Sequence, residues 1–180
     1  MKHIIWKAYW NYEKEEKWLN DLSAKGLAMT DYSWCRYALE DTPPGEYIYR
    51  IELLAHLATH PESRRYIEFV EETGAQCVAT YLRWVYFRKK AADGAFELYS
   101  DIESKIRHYK TVRAFWTALA ALELCVGASN TVIGITDSGS AINLALGIAL
   151  FALGCAFVVW CFQLTRKIRA LKKQRQIVDA

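Results

Sequence analysis

This chain of 180 residues is predicted to be α+β. The predicted form is an N-terminal two-layer domain of two β-α-β-β units, an antiparallel sheet with helices on one face, followed by a two-helix transmembrane hairpin. Three observations predict it. Residues 114–136 and 141–163 are apolar stretches separated only by Asp137-Ser138-Gly139-Ser140. Residues 1–99 have instead the mixed polar and aromatic composition of a water-soluble domain. Within that domain a strand–helix–strand–strand pattern occurs twice. The mean hydropathy of the whole chain, close to zero, averages these unlike parts and describes neither.

The first unit opens with residues 3–10, where Ile4, Trp6, Ala8 and Trp10 alternate as one face of a strand. Asn11 is an N-cap for a helix over 12–25 that Gly26 ends. Residues 27–32 and 34–40 follow as strands, and Asp41-Thr42-Pro43-Pro44-Gly45 is a dense turn. The second unit begins at 46–54, with Tyr47, Tyr49, Ile51 and Leu53 on one face and Glu46, Ile48, Arg50 and Glu52 on the other. Thr59, His60 and Pro61 open a helix that stops at Gly74, and 77–81 and 83–88 complete two more strands. At an offset of 48 residues, Trp18, Leu19, Leu22, Gly26 and Leu39 fall on Tyr66, Ile67, Val70, Gly74 and Phe87. The match is one of pattern, so either a duplication or two similar amphipathic helices accounts for it.

Ser100-Asp101-Ile102-Glu103 is a capping-box pattern that starts a juxtamembrane helix over 100–113, with Ile102, Ile106 and Tyr109 apolar. It runs without a breaker into the first span, 114–136, and so joins domain and membrane rigidly. A rise of about 1.5 Å per residue carries such a span roughly 35 Å, slightly more than the ~30 Å hydrocarbon core. An outside loop, 137–140, leads to the second span, 141–163. The tail, 164–180, continues as a basic helix beside the first, with Leu164, Ile168, Leu171 and Val178 as an apolar stripe interrupted by Arg175. This paired stalk either transmits movement or serves only as an anchor.

Charge is distributed accordingly. Residues 1–100 carry 13 Lys and Arg against 15 Asp and Glu, so the net charge of +3 arises at the membrane flanks. Lys105, Arg107, Lys110 and Arg113 precede the first span; Arg166, Lys167, Arg169, Lys172, Lys173 and Arg175 follow the second. The loop between has no positive residue, which predicts a multi-pass protein of the bacterial cell membrane with both termini cytoplasmic. Without a basic stripe on the domain, no nucleic-acid partner is expected. Met1-Lys2-His3-Ile4-Ile5-Trp6 lacks the form of a secretory signal, so the first span directs insertion. Cys35 and Cys77 of the domain and Cys125, Cys155 and Cys161 of the spans are expected as reduced thiols.

The segment Trp10-Asn11-Tyr12-Glu13-Lys14-Glu15-Glu16-Lys17-Trp18-Leu19-Asn20, then Ala24-Lys25-Gly26 and Gly45-Glu46-Tyr47-Ile48-Tyr49-Arg50-Ile51-Glu52, resembles a bacterial membrane family, the domain of unknown function 2812. The likeness continues through 66–74 and 84–89 and covers most of residues 6–100. The resemblance implies membrane spans after the domain but supplies no activity or catalytic residue. Family members are often encoded beside PadR-type transcriptional regulators, which implies a sensory or regulatory role. The family's common Gly-aromatic pair after the first helix is here Gly26-Leu27.

Several constellations bear on chemistry. Glu123 lies mid-span, where an ionisable residue costs roughly 2.5–3.5 kcal/mol to insert. It is expected opposite Gly154 and Cys155, and Asn130 opposite Gly147, both buried between helices that the seven-residue spacing of Gly147, Gly154 and Cys161 lets approach closely, as an interhelical hydrogen bond or as a proton or partner site. The domain's rings (Trp6, Tyr9, Trp10, Trp18, Trp34, Tyr47, Tyr49, Trp84 and Tyr86) either form the core or line a groove for flat or cationic molecules. Such tandem β-α-β-β units are similar in pattern to effector-binding domains of multidrug-responsive regulators. A groove of this kind would draw on Trp6, Trp10, Tyr47, Tyr49, Glu46, Arg50, Glu52 and Trp84 as ligand-binding residues. Glu13, Glu15 and Glu16 with Lys14 and Lys17 read as acids complementing a helix dipole. His56 and His60 are four apart with no third ligand at metalloprotease spacing, so no metal is expected. No phosphate loop, Cys-x-x-Cys or nucleophile elbow occurs, and neither catalysis nor a cofactor is expected.

The functional expectation is a membrane-anchored binding or signalling module whose aromatic-rich cytosolic domain recognises a small molecule or protein. The alternative is an accessory subunit of a transporter or envelope complex that packs through its hairpin. The expected partners are the lipid bilayer, a membrane or regulatory protein, and a small molecule.

Overall fold

The computed structural model describes residues 1–99, 101–136 and 141–178, and the chain divides into two compact units, Met1–Ser100 and Asp101–Ala180. Ser100 of the capping pattern, the expected outside loop at 137–140, and residues 179–180 lie outside the described residues.

The first unit contains β1 (Lys2–Trp6), α1 (Tyr12–Ala24), β2 (Leu27–Ser33), β3 (Arg36–Asp41), β4 (Tyr47–Leu53), α2 (Pro61–Glu72), β5 (Gln76–Tyr81) and β6 (Trp84–Lys90). Asn11 caps α1 through its side-chain oxygen, which accepts the Glu13 N–H at 3.0 Å and the Lys14 N–H at 3.3 Å. β1 ends at Trp6, short of the expected Trp10. Its partner β3 begins at Arg36, and beyond the Lys7 N–H to Cys35 carbonyl bond no strand remains to pair with.

The expected single sheet is resolved as two antiparallel sheets of three strands, ordered β1-β3-β2 and β4-β6-β5. The adjacent strands β2 and β5 each carry a register shift, at Met29/Asp31 and at Cys77/Ala79. A bulge twists a strand and interrupts its ladder, which accounts for the break between the sheets. Both bulges stand 48 residues apart, as do Gly26 (φ +83°) and Gly74 (φ +88°) and the hairpin tips after Ser33 and Tyr81. The halves therefore repeat each other in irregularities as well as in hydrophobic pattern, which favours duplication over chance.

On β6, Val85 and Phe87 point one way and join Val70 of α2, Leu54 and Phe96 in a buried cluster. Tyr86 and Arg88 point the other way, toward the first half: Arg88 donates to the Met29 carbonyl at 3.1 Å, and the Met29 N–H donates to the Tyr49 hydroxyl at 2.8 Å. The outer edge of β4 is closed by α1. Glu16 accepts from the Ile51 N–H, Asn20 bonds both the N–H and the carbonyl of Tyr49, and Ser23 bonds those of Tyr47. Three polar side chains on one helical stripe thus satisfy a sheet edge that would otherwise be open to pairing.

The second unit is an antiparallel helical pair, α3 (Ile102–Thr136) and α4 (Ala141–Val178). Asp101 caps α3, its carboxylate accepting the Ser104 N–H at 2.7 Å. Both helices contain windows long and apolar enough to cross a membrane, and only 11% and 17% of those windows is buried. A core helix of a soluble protein would be mostly covered. Here Leu122, Val132, Ile148, Phe151 and Val159 face outward, the arrangement that lipid contact requires. At the other end Ile106, Val112, Leu164 and Ile168 are buried between the helices, and Arg175 pairs with Glu103.

The helix seam is built on small residues. A Cβ on Gly127 would stand 2.6 Å from the Phe151 nitrogen, one on Gly134 2.5 Å from that of Leu144, and one on Gly147 2.5 Å from that of Thr131. The expected Gly147 and Gly154 are both in contact. Glu123 and Asn130 are half-buried beside this seam, each one residue before the side chain that meets the glycine expected opposite it. Leu124 meets Gly154 and Thr131 meets Gly147 instead. Asn130 folds back on its own helix, donating to the Val126 carbonyl at 2.8 Å, and among the described residues Glu123 has no hydrogen-bond or ion-pair partner.

Candidate functional site

The second half of the N-terminal unit holds a cavity of about 260 Å³ where β4 ends and α2 begins. Glu52 and Leu54 contribute from the strand side, His56 from the connection, and Glu62, Ser63 and Tyr66 from the first turns of the helix. The connection is fixed at both ends. The Leu54 and Ala58 N–H groups donate to the Arg83 and Leu82 carbonyls, and the Arg83 side chain donates to the Leu54 carbonyl. Pro61 stands at the start of α2, where its missing N–H costs nothing, and His60 caps the helix, its Nδ1 accepting the Glu62 N–H at 3.3 Å. Ser63 is turned inward and donates to the His56 carbonyl at 3.3 Å.

Glu52 is the charged anchor of this cavity. The Tyr66 hydroxyl donates to it at 2.6 Å. Burial raises the Glu52 carboxyl above the ordinary range, and hydrogen bonds from Tyr66 and Tyr99 pull it part of the way back. Burial and the adjacent carboxylate push the Tyr66 phenol far above its ordinary value, so it remains a donor. Glu62 adds a second carboxylate at the rim, 3.3 Å from His56 Nε2. Two acids, an aromatic ring and a hydroxyl around a small cavity suit a cation.

A second carboxylate, this one buried, lies in the core of the same unit. Glu15 is 6% exposed, and its Oε1 accepts from the hydroxyls of Tyr37 at 2.6 Å and Tyr86 at 2.8 Å. Tyr32 packs on both rings, at 4.8 and 4.7 Å between centroids, and Trp18 meets Tyr37 edge-on at 4.8 Å. Glu15 is therefore not one of a set of solvated helix-dipole acids, and neither is Glu16, which bonds the Ile51 N–H and pairs with Arg50. The available signal was position: Glu15, Leu19 and Leu22 stand at i, i+4 and i+7 on the buried stripe.

The expected ligand-binding residues are not gathered in one place. Trp6 and Trp10 are 68% and 65% exposed, on the first half. Tyr49 is buried, whereas Tyr47 is half-buried beneath the Arg88 guanidinium, 4.3 Å from its ring centre. Trp84 packs near Tyr12. Arg50 pairs with Glu16 and Glu97, and Glu46 accepts the Ala91 N–H through its carbonyl. Only Glu52 of that set lines the cavity. His56, Glu62, Ser63 and Tyr66 were not expected there, because their convergence depends on where α2 starts.

Comparison with curated proteins and with solved structures returns no match. A family model described as protein of unknown function DUF2812 matches residues 11–121, from the Asn11 cap, after β1, through the rest of both β-α-β-β units into the first apolar helix. The chain belongs to that family.

Proposed function

We propose that this protein is a membrane-anchored binding module whose N-terminal domain takes up a small organic cation in the cavity beside Glu52. The supporting observation is the cavity itself, with a half-buried carboxylate held by Tyr66 and a second carboxylate at its rim. Its volume lies just below the usual range for drug-sized ligands, roughly 300–1,000 Å³, and therefore favours a small amine or quaternary ammonium. The basic residues flanking both spans favour a cytoplasmic position for the termini and the domain, and in this reading occupancy is passed to a membrane or regulatory protein. The role is binding and sensory, not catalytic. Titration calorimetry of the full chain in nanodiscs against tetramethylammonium and short alkylamines tests this reading. Saturable binding weakened at least tenfold by Glu52→Gln supports it; no binding, or binding indifferent to Glu52→Gln, refutes it.

A second reading, an accessory subunit of a larger membrane complex, is favoured by Glu123. An ionisable group in mid-span without a partner among the described residues is satisfied most readily by another protein. Cross-linking in cells followed by mass spectrometry would then show a membrane partner that disappears with Glu123→Ala, and an unchanged partner profile would exclude this role.

A further inference from the structure

The geometry points to a divalent transition-metal site formed by His56, His60 and Glu62. This inference shares Glu62 and the cavity mouth with the organic-cation reading but does not rest on Glu52, whose substitution separates the two. Sequence spacing leaves the two histidines without a third ligand, but the fold supplies one. A ligand atom from each of the three side chains lies within 4.8 Å of the others, and all three residues are exposed. The imidazole rings are stacked at 4.2 Å between centroids with 26° between their planes, and His56 Nε2 is 3.3 Å from a Glu62 oxygen.

That last distance is already close to the spacing of two ligands on one tetrahedral ion, about 3.4 Å for metal–ligand bonds near 2.1 Å. Rotation of exposed side chains brings the remaining pair in without moving backbone. Two imidazoles and one carboxylate select zinc, nickel or copper over magnesium or calcium, which prefer all-oxygen ligand sets. His56 and Glu62 also line the cavity, so a bound ion would keep an open position toward it. His60 would exchange its 3.3 Å capping bond to the Glu62 N–H for the metal, because binding through Nε2 moves the ring proton to Nδ1.

The test is Co²⁺ titration of the full chain, without an affinity tag, in detergent and under reducing conditions. The five cysteines are free, so ligand type must be read directly. Expected are one equivalent of bound Co²⁺, visible d–d bands without thiolate-to-cobalt charge transfer, displacement by Zn²⁺ and indifference to excess Mg²⁺. His56→Ala and Glu62→Gln should each weaken binding about tenfold or more, and the His56→Ala/His60→Ala pair should abolish it. Circular dichroism of each variant verifies that α2 persists. Absence of binding, a thiolate charge-transfer spectrum, or affinity unchanged in the folded double variant overturns the assignment.

Discussion

Replacing Glu15 with alanine removes the one acceptor that two buried tyrosine hydroxyls share. Tyr37 is 0% and Tyr86 2% exposed, so neither hydroxyl regains water when the carboxylate is lost. Each orphaned donor costs about 1–3 kcal/mol, so the two together cost about 2–6 kcal/mol, and the void left by one methylene and a carboxyl adds to it. A domain of this size has roughly 5–15 kcal/mol to lose, so Glu15→Ala should unfold at a far lower denaturant midpoint or fail to fold. Glu15→Gln separates packing from charge, because both tyrosines donate to the same Oε1 and an amide oxygen can occupy that place. Burial raises the Glu15 carboxyl, outweighing the two tyrosine bonds that lower it. The folded state therefore holds this proton more tightly than the unfolded chain. The associated stability is complete below the ordinary carboxylate value and is lost as pH rises toward the folded one. Measured by tryptophan fluorescence in urea, the difference between Glu15→Gln and the natural protein should move in favour of the variant from about pH 4 to about pH 7. A difference moving the other way, or a Glu15→Ala variant as stable as Glu15→Gln, would refute the assignment of Glu15 as a buried acceptor under net desolvation.

Two further outcomes follow from close backbone approaches. At Gly26 a Cβ would meet the Thr42 carbonyl at 2.8 Å and the backbone has φ +83°, whereas Gly45 (φ +73°) has open space around it. Gly45→Ala should cost only the left-handed penalty of about 1–2 kcal/mol, and Gly26→Ala clearly more, in the same urea assay; equal costs would remove the argument from the Thr42 contact. In the hairpin, Gly147→Leu cannot be accommodated against Thr131, so it should force α3 and α4 apart. Oxidative cross-linking of Thr117→Cys to Cys161, whose present partner atoms are 3.5 Å apart, should be efficient in the parent and suppressed when Gly147→Leu is added.

Local features were legible in the sequence. The Asn11 cap, the Gly26 and Gly74 stops and the apolar lengths of α3 and α4 each depend on residues within a few positions of one another. What was hidden depends on distant partners. Glu16, Asn20 and Ser23 read as a polar helix face, and only the placement of β4 beside them shows that they close a sheet edge. The glycine seam of the hairpin was visible as a seven-residue spacing, yet which residues of α3 face it turned on a single step of register. A helix turns about 100° per residue, so that step exchanges Glu123 and Asn130 for Leu124 and Thr131. The His56, His60 and Glu62 cluster was missed for a similar reason: α2 begins at Pro61 with His60 as its cap, which turns the Glu62 carboxyl back toward His56.

The duplicated plan also shows how the cavity beside Glu52 arises. In the first half Ile5 stands opposite Tyr37 across the ladder, and the Tyr37 hydroxyl reaches Glu15 on the helix above. The equivalent ladder pair in the second half is Glu52 and Val85, and the residue 48 positions after Glu15 is Ser63. A long acid on the helix and a tyrosine on the sheet fill the space between the layers in one copy. In the other, Ser63 takes the helix position and lines the cavity, and the acid has moved to the strand, where Glu52 takes its bond from Tyr66 of the helix. Each copy thus retains a carboxylate bonded to tyrosine, but the direction of the bond between layers is reversed. The reversal places the second carboxylate at the wall of an accessible cavity, whereas the first is sealed in the core. A carboxylate that burial penalises, standing at the wall of a cavity, is the pattern expected of a binding site more than of a packing defect.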